Sequence, residues 1–298
     1  MKKISSTIKT LISLIVVSAI VFASFVACGL LEILYPNAML NLKKEFLYMG
    51  SEIALIEYDR QTDVSSLEAL LRSPKTVFNN SMILVSSEHP ITDTLVFDNV
   101  SEYMETDLYF DKHMHVAFSE LSVYISDNFG EKLYVTSAFR TQEEQQMLYN
   151  ENGPDVAQKP GESEHQTGLA VDVAVKDFGG SSFLKTDVGK YVNLYSWKYG
   201  FIIRYPDGKE SITKISYEPW HIRYVGEPHA EYISKNRITL EEYLDSLSHD
   251  VLYTYDTISS YAVTKVKEGN DIITPKEYTT CVISPDNCGN YIVTFELP

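Results

Sequence analysis

The chain has 298 residues, enough for one large domain or two unequal ones at about 100–200 residues per domain. An apolar fraction of 44%, with 14 glycines and 11 prolines, excludes a collagen-like, low-complexity or disordered chain. The net charge is −16, and the first 34 residues hold three lysines and one glutamate. The remainder therefore sets 22 basic side chains against 40 acidic ones, a balance of −18 that fits neither a nucleic-acid backbone nor anionic lipid.

Lys2, Lys3 and Lys9 precede an uncharged run of 21 residues, Leu11 to Leu31. That run meets the ~20 residues a bilayer-crossing helix needs. Lysines on one flank place that flank in the cytoplasm, so all following residues are expected outside the cell. The run is longer than the usual signal core of about 7–15 residues, which favours an uncleaved signal anchor over residues 1–34. Two other versions stay open. One is a cleaved signal ending near Ala23–Ala27. The other is lipidation at Cys28 in Val26-Ala27-Cys28-Gly29, where Phe25 replaces the usual leucine. All three export the body, and the favoured anchor makes a single-pass membrane protein with its domain on the extracellular face.

Residues 35–80 read as a stalk and N-terminal extension, with a short helix at Ser66–Leu71. Met82–Val85 and Thr94–Phe97 read as strands. Lys112–Asn128 carries an apolar face at helical spacing, ended by Gly130. Lys132–Ser137 is a strand, and Thr141–Asn150 a helix with a Thr141–Glu144 capping box. Leu169–Val175 is a strand, Asp187–Lys198 a helix, Phe201–Arg204 a strand and Thr239–Ser246 a helix. Residues 249–298 turn β-rich, with strands at Val251–Tyr255, Tyr261–Val266, Tyr278–Ile283 and Tyr291–Glu296. This tail is expected to be an accessory module packed on the preceding domain or on a second chain, its removal sparing that domain's site. Cys281 and Cys288 flank its second turn and could bridge there. With Cys28 they are the only cysteines, so any metal must be held by His, Asp and Glu.

Of seven histidines, His113 and His115 would diverge on a helix. His165 differs, because it precedes a strand that carries Asp172 among Leu169, Ala170, Val171, Val173 and Ala174. An acid in an apolar strand is costly unless paired or bound to a cation. Spacing alone leaves a metal ligand and a buried aspartate bonded to backbone amides both open. Glu218-Pro219-Trp220-His221 adds a second element, since residues i and i+3 share a face in one helical or 3₁₀ turn. Two histidines, one carboxylate and an open position make a catalytic zinc arrangement, with Glu218 placed as base for metal-assisted hydrolysis. Arg140, at the strand end, has the fork suited to a substrate carboxylate or a developing oxyanion, and Gln145 lies within two turns of it. Three SxxK strings lack a following KTG, and there is no GxSxG elbow, so they read as chance matches.

Thr136-Ser137-Ala138-Phe139-Arg140, Ser163-Glu164-His165-Gln166-Thr167-Gly168-Leu169-Ala170-Val171-Asp172 and Tyr217-Glu218-Pro219-Trp220-His221-Ile222-Arg223-Tyr224-Val225-Gly226 together resemble the VanY-type zinc D,D-carboxypeptidases. These are relatives of the VanX dipeptidases and of peptidoglycan L,D-carboxypeptidases. The resemblance covers about residues 80–245. It implies an α+β zinc-peptidase domain at 81–248, with a central antiparallel sheet and flanking helices. His165, Asp172 and His221 would bind Zn2+, Glu218 would be the catalytic base, and Arg140 would stabilise the oxyanion. Ser163 and Gln145, with Arg140, would hold the substrate's terminal carboxylate. The implied substrate is the D-Ala-D-Ala end of peptidoglycan precursors and stems, with a contribution to wall remodelling or to resistance against vancomycin-type glycopeptides. L,D-carboxypeptidase and D,D-dipeptidase activities share these motifs, and a non-catalytic wall-binding protein is the alternative from another class. No nucleic-acid partner is expected, and the oligomeric state is left open.

Overall fold

In a computed structural model of the protein, residues 6–92, 95–154 and 156–298 are described, the side chains of residues 6–13 excepted. Lys2 and Lys3 lie outside them. The chain divides into two compact units, residues 1–47 and 48–298.

The first unit holds helix α1 (Ser6–Leu34) and most of helix α2 (Pro36–Tyr48). Leu14–Leu34 is long and apolar enough to cross a membrane, and none of it is buried. Pro36 takes the first position of α2, where a missing N–H costs nothing.

The second unit begins with strands β1 (Leu55–Glu57) and β2 (Thr62–Ser65), helix α3 (Leu67–Leu71, capped by Ser66) and strand β3 (Thr76–Phe78). Strands β4 (Val100–Glu102) and β5 (Tyr109–Asp111) pair as a short ribbon. A 3₁₀ turn at Lys112–Met114 leads into helix α4 (His115–Phe129), closed by a left-handed Gly130. Strand β6 (Tyr134–Ser137) and helix α5 (Gln142–Asn152) follow, the helix opened by the expected Thr141–Glu144 box. Next come strand β7 (Ala170–Ala174), helix α6 (Asp187–Tyr195), strand β8 (Phe201–Ile203), helix α7 (Glu210–Thr213), strand β9 (His221–Tyr224) and helices α8 (His229–Asn236) and α9 (Leu240–Ser246). Strands β10 (Leu252–Tyr255), β11 (Tyr261–Lys267), β12 (Ile272–Pro275), β13 (Thr280–Pro285) and β14 (Asn290–Glu296) complete the chain.

Four strands in the order β6-β7-β9-β8 form an antiparallel sheet. Successive side chains on a strand alternate faces. Val171 and Val173 of β7 and Ile222 of β9 enter a core built with Phe118, Leu121 and Ile125 of α4 and Val188 and Val192 of α6. The alternate positions, Asp172 on β7 with His221 and Arg223 on β9, are thereby set on the opposite face.

The β-rich tail does not stand by itself. Its strands join β1 and β3 in a six-stranded sheet, β1-β10-β11-β14-β13-β3, and β12 pairs with β2. Tyr255, Val263 and Ile292 share one core with Ile202, Tyr243 and Leu244. The expected boundary at residue 249 is therefore no break in packing, because tail strands alternate apolar residues that find cover on α8 and α9. Two expected strands do not form. Met82–Val85 is buried but unpaired in any ladder, and residues 95–97 have no regular structure, Thr94 lying outside the described residues. The segment 82–84 instead bonds irregularly to β13 and the turn after it, Met82 N to Ser284 Oγ at 2.9 Å and Leu84 N to Asp286 O at 3.1 Å. Cys281 and Cys288 are both free, the first buried and the second exposed.

Candidate metal centre

Register builds the centre. Asp172 and His221 are direct partners across the antiparallel pair β7–β9, and such partners hold their Cβ atoms about 4.5–5.5 Å apart. Their side chains meet, with His221 Nδ1 3.0 Å from Asp172 Oδ1. His165 comes from a 3₁₀ turn, Glu164–Thr167, that ends on a left-handed Gly168 and feeds β7. Gly168 is required there: a Cβ would stand 2.7 Å from Val100 Cγ2 and 3.0 Å from Asp111 N, in a conformation L residues avoid. The turn brings His165 Nε2 to 3.5 Å from Asp172 Oδ2.

Three potential donor atoms, one each from His165, Asp172 and His221, lie within 4.8 Å of one another. The two rings meet edge-on, with centroids 5.0 Å apart. His165 turns its other nitrogen, Nδ1, to the carbonyl of Ala138 at 3.0 Å, so Nδ1 donates and Nε2 is left bare toward the cluster. Two imidazole nitrogens and a carboxylate oxygen are the donor types that suit Zn2+.

Glu218 stands beside the cluster, Oε2 3.7 Å from His221 Nδ1. Glu218–His221 is a turn rather than a helix, held by His221 N to Glu218 O at 3.2 Å, and it runs straight into β9. Burial, helped by Asp172, raises the Glu218 carboxyl above its ordinary value against the pull of His221 and Arg140. Burial also penalises the charged form of Asp172, but the two histidine rings facing it outweigh that and hold the carboxyl below the usual range. Burial lowers His165. At His221 burial opposes charge too, but the bond to Asp172 and the facing Glu164 overcome it and raise the ring to about 9.

Arg140 follows β6, its backbone N–H bonded to His165 O at 3.1 Å. Its Nη2 donates to Ser163 Oγ at 3.4 Å, while Nε is buried without a partner. Gln145 on α5 is buried, with Nε2 on Gln158 O at 2.6 Å and Oε1 unpaired. Of the seven residues singled out in the sequence, these contacts join His165, Asp172, His221, Glu218, Arg140 and Ser163, whereas Gln145 bonds to Gln158. His113 and His115 do not join them: His113 bonds Asp111, and His115 faces the carbonyl of Phe110.

Sequence reasoning gave no role to Glu164, Arg204 and Arg223. All three are fully buried, and Glu164 Oε1 accepts from Arg204 Nε at 2.7 Å and Arg223 Nη1 at 2.5 Å. The signal was present, since a charged residue in or beside an apolar strand demands a partner as Asp172 does.

The VanY family, D-alanyl-D-alanine carboxypeptidase, matches residues 107–227, a span holding all these residues. The bifunctional D-Ala-D-Ala dipeptidase and D-Ala-D-Ala carboxypeptidase VanXYC of Enterococcus gallinarum is 33% identical over 187 residues, covering 58% of this chain and 97% of that protein. The chain belongs to the VanY family. A D-alanyl-D-alanine carboxypeptidase of Enterococcus faecium is 34% identical over 189 residues, but the match spans only 60% of that protein and 58% of this one. Among solved structures, the vancomycin-resistance D,D-dipeptidase VanXYg in complex with a D-Ala-D-Ala phosphinate analog is similar at a TM-score of 0.60 and 25% identity. That likeness covers 82% of this chain and 99% of the other, so it extends well beyond residues 107–227.

Proposed function

We propose that the protein is a zinc-dependent D,D-carboxypeptidase that removes the terminal D-Ala from peptidoglycan precursors or stems ending in D-Ala-D-Ala. The observation that carries this is the convergence of His165, Asp172 and His221 with Glu218 at their edge. His165 Nε2, an Asp172 oxygen and His221 Nδ1 would hold the ion. When bound, Zn2+ polarises the scissile carbonyl and makes the attacking water more acidic.

The chain's own residues do the rest. Glu218 takes a proton from the water as its oxygen bonds to the carbonyl carbon. It then passes that proton to the leaving nitrogen of D-Ala as the C–N bond breaks. Its raised carboxyl suits both halves of that cycle. Arg140 donates to the carbonyl oxygen as charge develops there, from a half-buried position where such a bond is worth more than in water. Gln145 and Ser163 hold the terminal carboxylate with Arg140. Leu14–Leu34 anchors the enzyme, with the catalytic unit outside the cell where wall precursors are exposed. The membership and fold that relate the chain to VanXYC and VanXYg favour one second reading, D-Ala-D-Ala dipeptidase activity on the same site.

The test is amino-acid release from a panel of a pentapeptide stem, a tetrapeptide stem, free D-Ala-D-Ala and D-Ala-D-Lac ends. Release of D-Ala from the pentapeptide is expected. Cleavage of the tetrapeptide alone would assign an L,D-carboxypeptidase, and binding without release would assign a wall-binding protein.

A further inference from the structure

Glu164 precedes His165 in the chain but does not face it. The two oxygens of its buried carboxyl have different surroundings. Oε1 is shared by Arg204 and Arg223. Oε2 has no hydrogen-bond partner and faces His221 Nε2, equally unpartnered, at 3.7 Å. The other nitrogen of that ring, Nδ1, is the one turned to Asp172.

We propose that Glu164 is a positioning residue for His221: its Oε2 takes the Nε2–H of the ring, which leaves Nδ1 bare and aimed at the metal. This rests on the zinc-centre reading above. An imidazole ligand presents one nitrogen to a metal only when its other nitrogen carries the proton, and the partner of that proton sets the ring's orientation. For His165 the partner is a backbone carbonyl. For His221 no other acceptor meets Nε2, and Glu164 Oε2 is the one that faces it.

A cluster that only stabilised the fold would pair both carboxylate oxygens with the arginines. Here both arginines take Oε1, and each is tied elsewhere. Arg204 forks onto Glu241 of α9, Nη1 at 3.0 Å and Nη2 at 2.7 Å. Arg223 Nη2 donates to the carbonyls of Ser81 and Ile83 at 3.0 and 2.8 Å. Glu164 is thereby fixed from two sides while Oε2 stays free for the ring. The two guanidinium groups bonded to Oε1 set two positive charges against the carboxyl, which suits it as the acceptor of a charge-assisted bond.

The experiment uses the full-length, zinc-loaded protein with ¹⁵N-labelled histidine. Nuclear magnetic resonance should show His221 metallated at Nδ1, with a slowly exchanging proton on Nε2. Glu164→Asp keeps the charge beside the arginines but draws the oxygen back from the ring. It should fold, speed exchange of that proton and lower zinc affinity about 10–100-fold in chelator competition. Glu164→Gln should lower affinity by a similar factor where it folds. A change in melting temperature of the metal-free protein alone, with zinc affinity and the Nε2 proton unmoved, would make Glu164 structural and overturn the proposal. So would metallation of His221 at Nε2. A wild-type protein that takes up no zinc would overturn the metal centre itself, a different failure from unchanged affinity in the variants.

Discussion

His221 Nδ1 and Asp172 Oδ1 stand 3.0 Å apart because their residues are register partners on two adjacent antiparallel strands. Two of the proposed ligands are therefore set by the sheet, and the third by a tight turn at its edge. His165→Ala, Asp172→Ala and His221→Ala should each abolish stoichiometric zinc binding, measured by metal content after dialysis. Full occupancy in all three would place the metal elsewhere.

Glu218 touches the cluster only from its rim, at 3.7 Å from His221. Glu218→Gln should therefore keep zinc while turnover on the pentapeptide falls by about 10²–10⁴-fold, the usual worth of a general base. Turnover at the wild-type rate would leave Glu218 as a neighbour with no part in the proton transfer.

In the metal-free protein His221 titrates near 9, raised against burial by Asp172 and Glu164, whereas an unfolded histidine titrates at about 6.5. A raised folded value means a stabilising contribution that is complete below the unfolded value and lost as pH climbs through about 9. The metal-free protein should thus lose stability between neutral pH and pH 9, and His221→Ala should flatten that limb of the denaturation midpoint. The same proton must leave before a metal can bind, so zinc affinity should rise with pH over the same window. A pH-independent affinity would contradict this competition.

His229, in α8, behaves in the opposite sense. Burial lowers it to about 3, and its neutral ring bridges Tyr243 Oη at 2.7 Å and Thr294 Oγ1 at 2.9 Å. A depressed value means stability present above the unfolded value of about 6.5 and lost as pH falls toward the folded one. Between pH 6.5 and 4.5 that loss is about 2–3 kcal/mol, at roughly 1.4 kcal/mol per unit. Urea midpoints at these two pH values should differ less in His229→Asn than in the wild type, and an equal difference would remove His229 as the cause.

In the sequence, spacing alone left Asp172 open between a metal ligand and a buried aspartate, and the resemblance to the VanY-type peptidases singled out His165, Asp172 and His221 together. Asp172 put a charge in an apolar strand, and Glu218 and His221 stood at a spacing that shares a face around a proline. Helix α5 was legible because its capping box is a local pattern. What stayed hidden depends on contacts distant in sequence. Arg223 meets Glu164 across 59 residues and the carbonyl of Ser81 across 142. Met82–Val85 reads as a strand from its apolar run, yet its donors go to Ser284 and Asp286, some 200 residues on, in a geometry no local pattern announces.

The same long-range bonds bear on the tail. Ser284 and Asp286 hold the segment 82–84, the carbonyls of Ser81 and Ile83 hold Arg223, and Arg223 holds Glu164 next to His221. Thr294 of β14 caps the buried His229. Ending the chain at Leu247 would strip Tyr255, Val263 and Ile292 from the core that covers Tyr243 and Leu244. Losing one large buried side chain typically costs about 2–5 kcal/mol, and whole domains hold only about 5–15 kcal/mol. The truncated protein should therefore fail to fold or to bind zinc, read by thermal unfolding and by metal content. A gentler change isolates the route. Ser284→Ala removes the acceptor of the Met82 amide, with the tail otherwise intact, and should lower zinc affinity more than a substitution at exposed Glu268 in the turn after β11. A truncated chain that folds, keeps zinc and cleaves a short soluble peptide would show that the tail serves the wall substrate and not the metal centre.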